Sequence, residues 1–184
     1  MKNFIIVLLT CSALYAQTSA VALYEESQKA LSVGNIELAG EKMRSAIEAD
    51  KSNEKFRAEF DKLNNLRNKR NNANRAVQDG RFDDAIQGFG DVLQSVPNSA
   101  ESLYGTGKAY EGKKEFMTAV DFYKKSLQID SGYDKSKKSI SNVAKKLYNS
   151  ANQDYKNGNL ESALTKYNQV CLLYTSPSPR DVSS

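Results

Sequence analysis

Adjacent carboxylates stand at Glu25-Glu26 and Asp83-Asp84, the residue type that general acid–base chemistry uses in pairs. Neighbours on a helix point about 100° apart, so neither pair converges on one substrate atom. They read as solvated charges or as first-turn acids that suit a helix N-terminus. The chain has no histidine, which removes the commonest general base and metal ligand together. Its two cysteines are Cys11 and Cys171. One falls in a leader and the other in an anomalous tail, so the middle of the chain holds neither a thiol nucleophile nor a thiolate metal site. Gly105-Thr106-Gly107 is a lone glycine pair with no strand before it, unlike a phosphate loop. No enzyme activity, cofactor or metal site is expected within residues 17–170.

The elements that would position any binding residues must come from a chain of 184 residues, 40% hydrophobic and 26% charged, enough for one domain or one elongated array. Residues 1–16 read as an export signal: Lys2 is a short positive region, Phe4-Ile5-Ile6-Val7-Leu8-Leu9 an apolar run, and Ala16 a small residue at the cut, with Ala20 the alternative. The run is too short to span a membrane, and a cleaved signal is the expectation, with an uncleaved anchor the alternative. Cys11 opens a lipoprotein alternative, in which the cysteine carries lipid, although Thr10 is not the small residue that such a cut favours. If Cys11 leaves with the signal, no intramolecular disulfide can form.

At the other end, residues 171–184 resemble nothing before them. Cys171-Leu172-Leu173-Tyr174-Thr175-Ser176-Pro177-Ser178-Pro179-Arg180-Asp181 resembles the translation of a transposase adapter used in preparing sequencing libraries. A Ser/Pro-rich linker is the alternative by composition. On the adapter reading the natural sequence stops near Val170, inside a repeat, and whatever follows the repeats is missing.

Between these ends one string recurs. It begins at Gly34, Gly80, Lys114 and Gly158, with an apolar residue two later (Ile36, Phe82, Phe116, Leu160). Alanine follows three further on (Ala39, Ala85, Ala119, Ala163), then a large residue after four more (Met43, Phe89, Tyr123, Tyr167). Glycine permits the positive φ that lets one helix stop and the next begin at once. The apolar, alanine and large positions share one face of the second helix, with alanine where two helices approach closely. One such hairpin cannot cover its own apolar face, so several must stack.

This pattern resembles the tetratricopeptide repeat (TPR) family, whose unit is a helix A, a turn and a helix B. In that register the units run about 20–53, 66–99, 100–133 and 144–170, the last incomplete. Pro97 stands where the family often ends helix B; Gly107 with Tyr110, Ala73 with Ala76 and Ser27 with Ala30 match helix A positions. The fourth unit departs, with Asp154 where an apolar residue is usual. The resemblance implies an all-α, right-handed solenoid of about four hairpins.

Two junctions carry helical inserts, 54–65 and 134–143. Phe56, Phe60, Leu63 and Leu66 keep helical spacing in one, and Ile140, Val143, Ala144 and Leu147 in the other. Helix A is therefore expected to be lengthened N-terminally in the second and fourth units, with the extensions standing proud of the array. The arrangement repeats about 80 residues on: Ala73-Asn74 recurs as Ala151-Asn152 and Asp79-Gly80 as Asn157-Gly158. A duplicated two-hairpin module is the simplest account; drift of insert lengths is the alternative.

In the family, helix A lines a concave groove that takes an extended peptide or a helix. Carried onto this chain, the groove comprises Tyr24, Gln28 and Leu31; Arg67, Arg70, Asn74 and Val77; Tyr104, Lys108 and Glu111; and Lys145, Tyr148, Asn152 and Tyr155. Aromatics, cations and amides together suit a peptide with acidic and apolar side chains, or a terminal carboxylate. Arg70, Asn74 and Lys145 resemble part of the carboxylate clamp of the family's co-chaperones, but Gly105 and Asn149 depart from it, so that ligand is not assigned. Lysines and arginines on the inserts add basic stripes, which serve solubility or contact anionic surfaces.

The expected function is a non-catalytic protein–protein interaction scaffold of the periplasm or cell envelope. The alternative is an N-terminal targeting arm of a larger envelope protein whose C-terminal domain, catalytic or wall-binding, is missing. Nucleic acid is not expected as a partner of an exported chain. Membrane contact is expected only if Cys11 is lipidated, and self-association is open at the exposed end of the array.

Overall fold

The computed structural model describes residues 19–175. The expected leader 1–16, Cys11 within it, and the tail beyond residue 175 lie outside the described residues. Within them all regular structure is helical: α1 (19–32), α2 (Ile36–Ala49), α3 (Glu54–Gln78), α4 (Phe82–Ser95), α5 (Ala100–Gly112), α6 (Phe116–Ile129), α7 (Asp134–Lys156) and α8 (Leu160–Thr175). From α2 onward each helix packs on the next, and α5 also packs on both α3 and α7.

The turns explain why the helices break where they do. Gly34, Gly80 and Gly158 take φ of 83°, 75° and 80°, the left-handed region that stops a helix and reverses the chain. The third hairpin makes the same turn with a lysine, Lys114, at φ 64°. Asn35, Asn53 and Ser99 cap the next helices by accepting from the backbone N–H of Leu38, Phe56 and Ser102.

The alanine-then-large spacing does what its period requires. Ala39, Met43, Ala85, Phe89, Ala119 and Tyr123 are all fully buried. The large residues reach across to the following hairpin or its own partner helix. The Phe89 ring occupies the space where Gly105 has no side chain, and the Tyr123 ring does the same at Gly107. Those two glycines sit inside a helix because no larger residue fits there, which offsets their poor helix propensity.

α3 and α7 are the long helices, with 25 and 23 residues. Their extensions do not stand proud. Phe56 and Leu63 are buried with Met43 and Ala46, Tyr24 stacks on Phe56, and Arg44 lies over the Phe60 ring. The physical reason is length. A 14-residue helix spans about 21 Å, so a 25-residue helix of about 37 Å takes nearly two of them in succession. α2 covers the first part of α3 and α4 the rest, where Lys69 pairs with Asp91 at 3.5 Å and Gly88 lies against Ala73. Their ends meet over Leu66, which packs with Ile36, Val92 and Val96.

α7 is shared in the same manner. The Ser136 hydroxyl bonds to that of Ser126 on α6 at 3.0 Å, and farther along Ser162 of α8 donates to Asp154 at 2.6 Å. Asp154, the acid at a usually apolar position, also pairs with Lys166, which together hold its carboxyl below the ordinary aspartate range. α8 continues past Val170, and Leu173 is buried with Val143 and Leu147.

Candidate functional site

The first helices of the last three hairpins lie side by side, and two ion clusters, each centred on one buried charge, fasten them. Arg70 on α3 has only 5% of its side chain exposed. Its guanidinium bonds to Glu37 on α2 and, at 2.8 Å, to Glu101 on α5. Its Nε is buried and has no hydrogen-bond partner. Glu37 also draws Arg67 to 3.7 Å, so one carboxylate spans about one turn of α3.

The second cluster centres on Glu111 of α5, 7% exposed in its side chain. The Tyr123 hydroxyl donates to it at 2.7 Å, Lys108 at 2.9 Å, and Lys146 of α7 at 2.6 Å. Burial pushes the Glu111 carboxyl up, but the hydrogen bonds from Lys146, Lys108 and Tyr123 more than offset this and leave it below the ordinary glutamate range. Burial, with the bond to Glu111 second, pushes the Tyr123 hydroxyl well above its ordinary range, so it remains a donor. A charged carboxylate with three donors is thus the junction of α5, α6 and α7.

The groove residues expected from the sequence divide into three groups. Arg70 and Glu111 are buried structural ions, and Leu31 and Val77 pack against the hydrophobic clusters. Tyr24 stacks on Phe56 with Lys55 over its ring, and Tyr104 lies against Tyr123 and Tyr133. Gln28, Arg67, Asn74 and Lys108 are half-buried and reach solvent, and Lys145 is exposed. On α7 the expected Tyr148 and Asn152 both face α8, and it is Lys146, outside the expected set, that reaches α5. Tyr148 meets Tyr167 of α8 edge to face and Asn152 accepts from the Tyr167 hydroxyl. Tyr155 is exposed on that same α8 side.

A further feature escaped the sequence reading. The α1–α2 turn, the start of α5 and the α6–α7 turn enclose a cleft of about 410 Å³ lined by Val33, Ile36, Glu101, Ile129, Asp130 and Tyr133. Burial, then the Glu101 carboxylate, pushes the Tyr133 hydroxyl up to about 12. The only sequence signal for this meeting is the length of α3, which shifts the first hairpin until its turn reaches α5.

Among the described residues no group of three His, Cys, Asp or Glu side chains is placed to hold a metal ion, and no helix is long and apolar enough to cross a membrane. No protein-family model matches the chain, and no curated protein matches it.

Proposed function

We propose that the chain is an exported scaffold of tetratricopeptide type that binds a partner protein, as a peptide or helix, along the face shared by α3, α5 and α7. The observation that carries this reading is the fastening of those three helices by Arg70–Glu101 and Glu111–Lys146. Pre-set helices give a rigid surface, which lowers the ordering cost of capturing a flexible segment. Asn74, Lys108 and Lys145 then offer an amide and two cations to acidic side chains or a terminal carboxylate. The reading makes the protein non-catalytic, and the export-like leader in the sequence supports a periplasmic or envelope setting, free or lipid-anchored through Cys11.

The test is affinity capture from envelope extract with the full chain and with a Lys108→Gln, Lys145→Gln pair of substitutions. Lys145 is exposed, whereas Lys108 is half-buried and donates to Glu111, so circular dichroism and a urea midpoint accompany the capture to show that the variant keeps its fold. Loss of a specific captured protein in the variant supports the reading; equal capture by both contradicts it.

A further inference from the structure

Asp50 and Asp130 hold the same place in the repeat, the residue that ends α2 or α6 before a long helix begins. Their surroundings differ. Asp50 accepts from the backbone N–H and the hydroxyl of Ser52 at 3.2 and 2.8 Å and from the Asn53 amide at 3.2 Å. In the same turn Arg57 donates to the Lys51 carbonyl. Around Asp130 the side-chain donors are gone. Gly132 and Tyr133 stand where the earlier turn has Ser52 and Asn53, and Asp130 accepts only from the Gly132 N–H, at 2.9 Å. Lys137, in the place of Arg57, turns to Asp134 at 3.5 Å.

The altered turn opens on the cleft of about 410 Å³ that it shares with the α1–α2 turn and the start of α5, a size usual for small-ligand sites. The cleft lies inside the array, with hairpins on both sides of it along the chain. Its walls are apolar at Val33, Ile36 and Ile129, of which Val33 is 62% exposed and Ile129 41%. Glu101 gives one carboxylate oxygen to Arg70 and Asp130 gives one to Gly132; among the described residues the second oxygen of each is unpaired, as is the Tyr133 hydroxyl. α6 ends here with no basic residue in its last turn, and a helix C-terminus favours a cation. No lysine or arginine lines the cleft, in a chain that has 26 of them. Arg70, behind Glu101, is divided between that carboxylate and Glu37, so Glu37, Glu101 and Asp130 exceed Arg67 and Arg70 by one charge.

We infer that this cleft binds an organic ammonium ion on a short aliphatic stem, the chemistry of a lysine side chain or of a free diamine. The stem lies on Val33, Ile36 and Ile129. The ammonium has three donors and no acceptor, and it returns to Asp130 the donors that Ser52 and Asn53 supply to Asp50. The cleft is distinct from the surface of Asn74, Lys108 and Lys145, and the inference stands whether or not that surface binds a peptide.

The test follows the backbone amide NMR signals of the full chain as butylammonium chloride is added, with butanol and sodium chloride as controls for stem and ionic strength. Saturable shifts at Gly132 and Tyr133 with a Kd of about 1 mM are expected, and none with either control. Asp130→Asn keeps an acceptor for the Gly132 N–H but loses the charge, and weakens binding about tenfold; Asp50→Asn leaves it unchanged. The same spectra show that both variants are folded. Titrations with diaminobutane and with an acetylated lysine amide name the source: tighter binding of the first assigns a free diamine, and of the second a lysine of another chain. Absence of saturable shifts, equal shifts with butanol, or equal binding by Asp130→Asn overturns the inference. So does tighter binding of calcium ion, which assigns the two carboxylates to a metal.

Discussion

Gly34 lies against the backbone of Asn98: a Cβ at Gly34 would stand 1.8 Å from the Asn98 carbonyl oxygen. The Asn98 side-chain amide closes the contact by donating to the Ser32 carbonyl at 3.1 Å. The turn of the first hairpin is thereby seated on the loop between α4 and α5. Gly80 and Gly158 have the same positive φ, but a Cβ at either would meet nothing within 4 Å. Gly80→Ala therefore costs about 1 kcal/mol, the penalty of the left-handed conformation alone. Gly34→Ala adds a backbone collision and costs about 3 kcal/mol or more. Urea unfolding of the two variants separates them; equal losses would mean that the first hairpin is not seated on the second.

Lys114 makes a glycine turn with a side chain attached. Lys114→Gly relieves that strain and should stabilise the chain by up to about 1 kcal/mol, the gain reduced by the greater freedom of glycine when unfolded. A thermal or urea midpoint that falls on this substitution would contradict the turn geometry.

Arg70 and Arg67 are three positions apart on α3, yet their burial separates their roles. Arg70→Ala empties a buried site and removes its bonds to Glu37 and Glu101, whose half-exposed carboxylates stay hydrated, and should cost about 2 kcal/mol. Arg67→Ala, removing a 3.7 Å surface pair, should cost less than about 1 kcal/mol. Loss of partner binding in an Arg70 variant would accordingly report on the fold as much as on the groove.

Glu111 couples stability to pH. Its folded value lies below its unfolded one, so its contribution is fully present above the ordinary glutamate value of 4.5 and is lost as pH falls through the folded value. Glu111→Gln should lower stability near neutrality by about 2 kcal/mol and flatten the acid limb of the stability profile. Asp50 and Asp154, also held below the ordinary range by side-chain hydrogen bonds, leave a residual limb. An unchanged acid limb in Glu111→Gln would show that the junction of α5, α6 and α7 is not charged.

The helices and turns were legible because their signals are local. Glycine at Gly34, Gly80 and Gly158 marks chain reversal, and alanine followed four later by a large residue marks a close helix contact. The length of α3 and α7 was legible too, since neither insert contains a breaker. Where the extensions would lie was not. That depends on α2 and α4 sharing α3 end to end, a long-range consequence of relative length. The burial of Arg70 and Glu111 was hidden for a related reason: a charge at a surface-like position in one helix is indistinguishable, in sequence, from one whose counter-ions arrive from two other helices.

The most direct test of the shared face as the binding surface is site-specific photo-crosslinking in cells that express the chain. A photoreactive residue is placed at Asn74 or Lys145 on the first helices, or at the exposed Gln87 or Lys125 on the second helices. The account predicts one crosslinked partner from the first pair of sites and none from the second. Crosslinks confined to Gln87 and Lys125 would contradict it.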